Sequence, residues 1–317
     1  MGMKRLILVL LLCAGGFQMR SEEKDSLLVV FWNLENFFDW TDQKTSESDK
    51  DFSSYGVRHW TRSRFYAKCD AVAKAVMWIA DKNGRMPDVI GLAEIENRGV
   101  LNKMLSSTLL RKYDYEIIHK ESQDRRGIDV ALLYRKSSMH PLSYTFITPE
   151  NMTTRDILHV RMSLSQGNMM DFIVNHHPSK YGGVRESERK RMTAMDALIG
   201  LCDSLSSGGS NRILAMGDFN DSPVAEQFSH VSVLLDNKGL ELHKRGQGSI
   251  RYKGHWELID FFLAGSDIVA SPMKILEIPF LMTYDRSYPG YKPLRTYSGP
   301  RYIGGVSDHC PIMIYVK

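Results

Sequence analysis

The chain has 317 residues, 43% hydrophobic and 25% charged, which excludes a disordered chain and supplies apolar mass for one large core or two small ones. The formal charge is +4 at pH 7, and two of those charges, Lys4 and Arg5, sit at the extreme N-terminus. A polybasic nucleic-acid binder is therefore excluded, and any anion site must be a local cluster.

Residues 1–16 read as a signal peptide. Lys4 and Arg5 precede an apolar run from Leu6 to Leu12, and Ala14 and Gly16 suit cleavage before Phe17. The run is too short to span a bilayer, and no other run is long enough for a transmembrane segment. The expectation is an exported protein, periplasmic or extracellular, with its mature domain over residues 17–317. Cys13 offers lipoprotein anchoring as the alternative, although Leu12 is a poor residue to precede a lipid-bearing cysteine. Cys69, Cys202 and Cys310 remain, an odd number on separate elements, and read as buried free thiols rather than a disulfide framework. No CxxC or HExxH spacing occurs, so zinc held by cysteine is not expected. No protein partner can be inferred, and a monomer is expected.

The first strand is Leu27 to Trp32, continuously apolar and so buried on both faces. It ends at Asn33, a turn former or a neutral oxygen ligand for a hard cation, with Glu35 and Asn36 just beyond. Trp32 and Phe37 read as core. Residues 41–62 are polar and predict a surface loop. Phe65, Cys69, Val72, Val76 and Ile79 recur at threes and fours, which predicts an amphipathic helix over 63–80. A second apolar strand, Val89 to Ala93, ends at Glu94, and a short helix is expected over 99–110. Residues 115–118 and 128–134 predict a strand pair joined by a charged loop. Asp129 inside the second of these reads as a partnered buried acid, with Arg126 as its candidate partner.

Residues 157–163 and 170–175 predict a hairpin whose second strand runs out at Asn175, His176 and His177. A glycine-containing basic loop then enters a helix over about 185–205, with Met192, Met195, Leu198, Leu201 and Leu205 as its apolar face. Lys180 and Arg185, near the strand end, are candidates for phosphate contact, as is Arg126. The strand Ile213 to Met216 ends in Asp218, Asn220 and Asp221. Asp260 interrupts the apolar strand within 249–265. Asp308 and His309 sit where a glycine loop meets the alternating run of Ile312, Ile314 and Val316. Strands and helices alternate with no repeat and no composition break, which predicts one α/β domain.

Six apolar strands thus finish or break at polar residues: Asn33, Glu94, His176, Asp218 with Asn220, Asp260, and Asp308 with His309. Each alone has a structural explanation; the coincidence of six does not. Sites in open α/β sheets lie beyond strand ends. If these ends converge, they form an oxygen-rich pocket without thiolate, suited to Mg²⁺, Mn²⁺ or Ca²⁺. Several carboxylates share a small volume only when a cation offsets their repulsion.

The segments FWNLEN, PDVIGLAEIEN, RRGIDVALLYR, IVNHHPSKYGG, ILAMGDFND, WELIDFF and GVSDHCPI occur in the order of the endonuclease/exonuclease/phosphatase family, which the chain resembles over nearly its whole mature length. The resemblance implies the deoxyribonuclease-I-like fold, a four-layer α/β sandwich of two mixed β-sheets packed face to face with helices outside. It implies Glu94 as principal metal ligand with Asn33 and Asp308 beside it, and Mg²⁺ as cofactor, with Mn²⁺ or Ca²⁺ as substitutes. His309 resembles the catalytic histidine and Asp260 the carboxylate that orients it. His176 matches the histidine that contacts the scissile phosphate. Asp218 and Asn220 match the pair that aligns water and phosphate, which is also a second metal site to consider; His309 and Asp218 both remain open as general base. His177 and Asp221 have no firm counterpart and read as structural.

The family core serves nucleases, sphingomyelinases and inositol-phosphate phosphatases, so it does not name the substrate. WNLENFFD resembles secreted bacterial nuclease-like members, and the basic loop beside His176 suits a backbone phosphate. The reading is a metal-dependent phosphodiester hydrolase of nuclease type, acting on DNA or RNA. Against it stands the low net charge. The alternatives are an exported phosphatase or phosphodiesterase acting on lipid head groups or small esters, and a non-catalytic binding protein on the same fold.

Overall fold

The computed structural model describes residues 26–165, 167–180, 184–231 and 233–317. The leader read at residues 1–16, its cleavage site and Cys13 lie outside them. In chain order the strands are β1 (Leu27–Phe37), β2 (Val89–Ile95), β3 (Tyr115–His119), β4 (Asp129–Arg135), β5 (Met139–Ile147), β6 (Ile157–Leu164), β7 (Met169–His176), β8 (Ile213–Asp218) and β9 (Leu235–Asn237). They continue as β10 (Ile250–Tyr252), β11 (His255–Glu257), β12 (Asp260–Gly265), β13 (Lys274–Ile275), β14 (Met282–Asp285), β15 (Gly290–Pro293), β16 (Tyr297–Ser298), β17 (Arg301–Tyr302) and β18 (Ile312–Val316). The helices used below are α1 (Arg62–Asn83), α2 (Arg98–Ser107) and α3 (Val184–Ser207).

Two six-stranded sheets carry the fold, one in the order β13-β18-β1-β2-β4-β3 and the other β5-β6-β7-β8-β12-β9. Both are mixed. β1 and β2 run parallel, as do β7 and β8, while their other neighbours are antiparallel. The period of two in β1 decides the layering. Val29 and Phe31 point between the sheets and meet a core that includes Phe172, Val174, Leu214, Met216 and Phe262. Leu28, Val30 and Trp32 point the other way, into a second cluster with Phe65, Cys69, Val72, Val76 and Ile79 of α1 and Val100, Leu101 and Met104 of α2. Met195, Leu198 and Cys202 of α3 cover the second sheet. The expected sandwich is therefore what forms. Gly91 leaves room for the second sheet: a Cβ there would meet Met216 Sδ at 2.6 Å.

Local chemistry sets the helix ends. The Thr61 side chain accepts from the Arg64 N–H at the start of α1, and Gly84, at φ 68°, closes it in the left-handed conformation. Asn97 caps α2 through the Val100 N–H. No described helix is long and apolar enough to cross a membrane.

Four expectations need correction. Asp129 does not pair with Arg126; its carboxylate accepts from Ser122 N at 3.0 Å and from the Ser122 hydroxyl, with His119 Nε2 at 3.5 Å. Residues 41–62 are irregular but not wholly surface, because Phe52, Trp60 and Asp49 are buried. Met192 is half exposed rather than on the buried face of α3, where Cys202 packs instead. Within 249–265 the strand is β12, preceded by the hairpin β10–β11, and Asp260 opens it rather than interrupting it. β5, absent from the expected strands, is an edge strand: Leu142, Tyr144 and Phe146 alternate with Ser143 and Thr145, but Pro141 interrupts the run and Leu142 and Tyr144 are exposed.

Candidate active site

The site begins with a bulge. β1 and β2 pair in register from Val29↔Val89 to Asn33↔Ala93, and the register then shifts so that Phe37 faces Ile95. Three residues in this bulge, Glu35, Asn36 and Glu94, have φ of 45°, 50° and 61°. Non-glycine residues held there cost roughly 1–3 kcal/mol each, and bulges re-aim side chains beside sites. Here the Asn36 N–H donates to Glu94 Oε2 at 2.7 Å, fixing the carboxylate within the bulge near the end of β2.

Asn33, fully buried, faces inward. Its Oδ1 accepts from the Glu35 N–H at 2.9 Å. Its Nδ2 donates to Asp218 Oδ2 at 3.0 Å and lies 3.4 Å from Glu94 Oε1. The amide thus bridges a carboxylate of each sheet.

The second sheet brings three more groups by register alone. Asp260 is directly opposite Asp218 in the antiparallel β8–β12 pair, and His176 is level with Asp218 in the parallel β7–β8 pair. His176 Nε2 is 3.7 Å from Asp218 Oδ2 and 3.9 Å from Glu94 Oε1. Beyond β8, Asn220 has φ 51°; its N–H donates to Asp218 Oδ1 and its Nδ2 to the His177 carbonyl, both at 2.9 Å.

His309 comes from the loop before β18. The Ser307 hydroxyl donates to the Asn33 carbonyl at 2.6 Å and accepts from the His309 N–H at 3.0 Å, while Trp32 Nε1 donates to the His309 carbonyl at 3.0 Å. With its backbone held this way, the imidazole places Nδ1 2.8 Å from Asp260 Oδ2, which also accepts from the Ser249 hydroxyl. Nε2 is 3.8 Å from Asp218 Oδ2 and 3.8 Å from Asp308 Oδ1. Asp308, in turn, has Arg295 Nη2 3.0 Å from Oδ2.

Electrostatics separate the two histidines. Burial lowers His176 well below the usual imidazole value, helped by Arg155 and Arg126, so it is neutral. Burial also opposes charge on His309, but Asp260, Asp218 and Asp308 together raise it well above that value. Burial, then repulsion from Asp260, pushes the Asp218 carboxyl up to about 7.

These residues fit a hard divalent cation. Ligand atoms of Asp218, Asp260 and His309 lie within 4.8 Å of one another, and Asp260 Oδ1 is buried without a donor. Glu94 and Asp308 stand on the two sides of the β1 end, reached from β2 and from the Ser307–Asn33 contact. The donors are carboxylates and imidazole with no thiolate, and the repulsion that raises Asp218 is what a cation would offset.

The remaining candidates divide. Arg126 is at the site, its Nη2 2.9 Å from Asn36 Oδ1 and 3.7 Å from Glu94 Oε2. Lys180 is 3.4 Å from Asp221, which Arg191 Nε also holds at 3.0 Å, so this cluster anchors the loop carrying Asn220. Arg185 is exposed at the start of α3 and makes no ion pair among the described residues. His177 is buried against Phe219, and burial with Arg155 and Arg191 lowers it to about 3. Sequence reasoning missed a support beneath the site. Glu35 accepts from Arg295 Nε at 3.0 Å and Thr296 N at 2.7 Å, and the buried Lys68 donates to the Glu35 carbonyl at 2.7 Å. The signal available was the lysine itself, the one charge on the apolar face of α1.

The model of the Endonuclease/Exonuclease/phosphatase family matches residues 28–317. No curated protein matches the chain. Among solved structures, an endonuclease/exonuclease/phosphatase family protein from Bacteroides thetaiotaomicron superposes with a TM-score of 0.61 at 14% identity, over 92% of this chain and 97% of the other. The mannosyl-6-phosphatase of the same organism gives 0.60 at 13%, over 92% and 100%. D. rerio TDP2 complexed with single strand DNA product gives 0.57 at 13%, over 92% and 99%.

Proposed function

The chain belongs to the endonuclease/exonuclease/phosphatase family of metal-dependent phosphoric ester hydrolases, and we propose that it hydrolyses phosphodiester bonds, with a nucleic-acid strand as substrate. The observation that carries this reading is the convergence of Asn33, Glu94, His176, Asp218, Asp260 and His309 from both sheets, each within hydrogen-bond or ion-pair distance of at least one other. Glu94 and Asp308 would hold the cation, braced by the Asn33 amide and the Asn36 N–H. When bound, Mg²⁺, or Mn²⁺ or Ca²⁺ in its place, offsets charge on the non-bridging phosphate oxygens.

The side chains divide the remaining work. Asp218, held by the Asn33 amide and the Asn220 N–H, accepts the proton of the attacking water. Asn220 and neutral His176 donate hydrogen bonds to phosphoryl oxygens. His309, charged through Asp260, stabilises the oxygen on which charge develops. Arg126, beside Glu94, adds a cation for a phosphate oxygen.

The likeness to a mannosyl-6-phosphatase supports a second reading, hydrolysis of a small phosphate ester. Incubation with Mg²⁺ or Mn²⁺ and plasmid DNA, RNA, bis-p-nitrophenyl phosphate, p-nitrophenyl phosphate and phospholipid head-group esters separates the two. Diester and nucleic-acid turnover is expected. Turnover of monoester alone would replace the nuclease reading with the phosphatase. Turnover of nothing by the folded protein would leave a binding protein. Export to the periplasm or medium and a monomeric state belong to the proposal as well; the leader supports the first. N-terminal sequencing of protein recovered outside the cytoplasm, and its mass in solution, test them.

A further inference from the structure

Two hairpins stand beside the His309 end of the site. β10 springs from it directly: Ser249 bonds Asp260, and Ile250 forms a bridge with His309. Tyr252 is two residues farther along β10, roughly 7 Å at the rise of an extended strand. The hairpin β14–β15 abuts it, because Arg251 Nη1 and Nη2 donate to the carbonyls of Tyr288 and Pro289 at 3.0 and 3.1 Å. Gly254 lies against Tyr288, where a Cβ would meet its side chain at 3.2 Å.

The pair presents tyrosines to solvent: Tyr252 is 61% exposed, Tyr284 54%, Tyr288 43% and Tyr291 63%. Every exposed large apolar side chain on these two hairpins is a tyrosine. Tyr284 and Tyr291 meet edge to face at 5.6 Å, and Lys253 Nζ lies 5.3 Å from the Tyr252 ring centroid. Lys253 and Arg286 make no ion pair among the described residues, so their charge faces outward, whereas Lys292 is held by Asp285 at 2.7 Å. Exposed rings beside uncompensated cations, continuous with a phosphate-cleaving site, suit unpaired bases and the phosphates that join them. A membrane surface would call for exposed tryptophan, phenylalanine or leucine, and the one such residue on these hairpins, Trp256, is partly buried.

We infer that the β10–β11 and β14–β15 hairpins form a platform for single-stranded nucleic acid, on which bases flanking the scissile phosphate stack against Tyr252 and Tyr291 while Lys253 and Arg286 contact the backbone. This rests on the nuclease reading above but on none of its residues. The test is the affinity of a fluorescent oligothymidylate in EDTA, by anisotropy, for wild type, Tyr252→Ala/Tyr291→Ala, Tyr252→Phe/Tyr291→Phe and Lys253→Glu/Arg286→Glu. The alanine pair is expected to bind at least about tenfold more weakly, since stacking on an aromatic ring accounts for that much per base. The phenylalanine pair should bind like wild type, and the glutamate pair should show a shallower salt dependence. All should turn over bis-p-nitrophenyl phosphate at the wild-type rate with Mg²⁺.

Unchanged oligothymidylate affinity in the alanine pair overturns the platform. So does a wild type that cleaves the small diester but does not bind the oligonucleotide, or one whose tyrosines govern binding to phosphatidylserine vesicles instead. Binding that depends on the tyrosines without turnover of any ester would leave the platform standing and remove the hydrolase reading.

Discussion

Asp260→Asn isolates the pair on which the charge of the site turns. Asp260 Oδ2 and His309 Nδ1 are 2.8 Å apart and both side chains are buried. At an effective dielectric of 20 their attraction is about 6 kcal/mol, and removing one partner of a buried pair typically costs about 3–5 kcal/mol. Asparagine keeps the shape and an acceptor for the Ser249 hydroxyl but loses the charge. If His309 must be an imidazolium in the transition state, most of that energy appears in the barrier, and kcat/KM should fall by roughly two to four powers of ten. The pH profile adds a signature that misfolding cannot imitate. Asp260 raises His309 and also raises Asp218, so both limbs of the bell should move to lower pH in the variant. The assay is the rate on bis-p-nitrophenyl phosphate from pH 5 to 9 at saturating Mg²⁺, with metal affinity by calorimetry alongside. Activity within fivefold of wild type, or unmoved limbs, would refute the dyad. Loss of metal affinity as large as that of a Glu94 variant would move the cation to the Asp218–Asp260–His309 cluster.

Three further outcomes follow from the same geometry. Glu94→Gln keeps an acceptor for the Asn36 N–H but should weaken Mg²⁺ binding by more than about tenfold in calorimetry; equal affinity would exclude Glu94 as a ligand. Glu96 is buried, which pushes its carboxyl up to about 8 against the Asp39 N–H that holds Oε2. Its ionisation therefore disfavours the fold: stability present below its ordinary value near 4.5 is lost as pH rises to 8. Glu96→Gln should be the more stable protein at pH 8 by a few kcal/mol and lose that advantage at pH 4, by urea unfolding; parallel pH curves would contradict this. Burial pushes the Cys69 and Cys202 thiols up to about 12 and Cys310 higher still. All three should resist Ellman's reagent in the native protein and react in urea, so rapid native labelling of any of them would show local opening.

The strand ends were legible because the chemistry there contradicts its surroundings. Asn33, Glu94, Asp218 and Asp260 follow or interrupt apolar runs that packing alone would continue. Their partners were not legible, for a reason of distance. Lys68 reaches Thr296 across 228 positions and Asn33 reaches Asp218 across 185, and no local period encodes such meetings. Asp129 shows the opposite error, since the nearest charge in sequence, Arg126, belongs to Asn36 and Glu94 instead. The short hairpins escaped because strands of three or four residues leave too few alternations to count.

What the sequence conceals most completely is the backbone. Glu35, Asn36, Glu94 and Asn220 all hold positive φ without being glycine, in segments whose apolar neighbours read as ordinary strand ends. Glycine would relax each of them, yet at Glu94 it would delete the carboxylate and at Asn220 the amide that bonds the His177 carbonyl. The strain persists because rigid partners on both sides over-determine it: the Asn36 N–H holds Glu94, and Asp218 Oδ1 holds the Asn220 N–H. Asn33 then ties these two strained turns together across the sheets, through its bond to Asp218 and its approach to Glu94. The face-to-face packing of the sandwich and the geometry of the site are for that reason one constraint, and a change that lets the sheets slide should uncouple Glu94 from Asp218 before it unfolds either sheet.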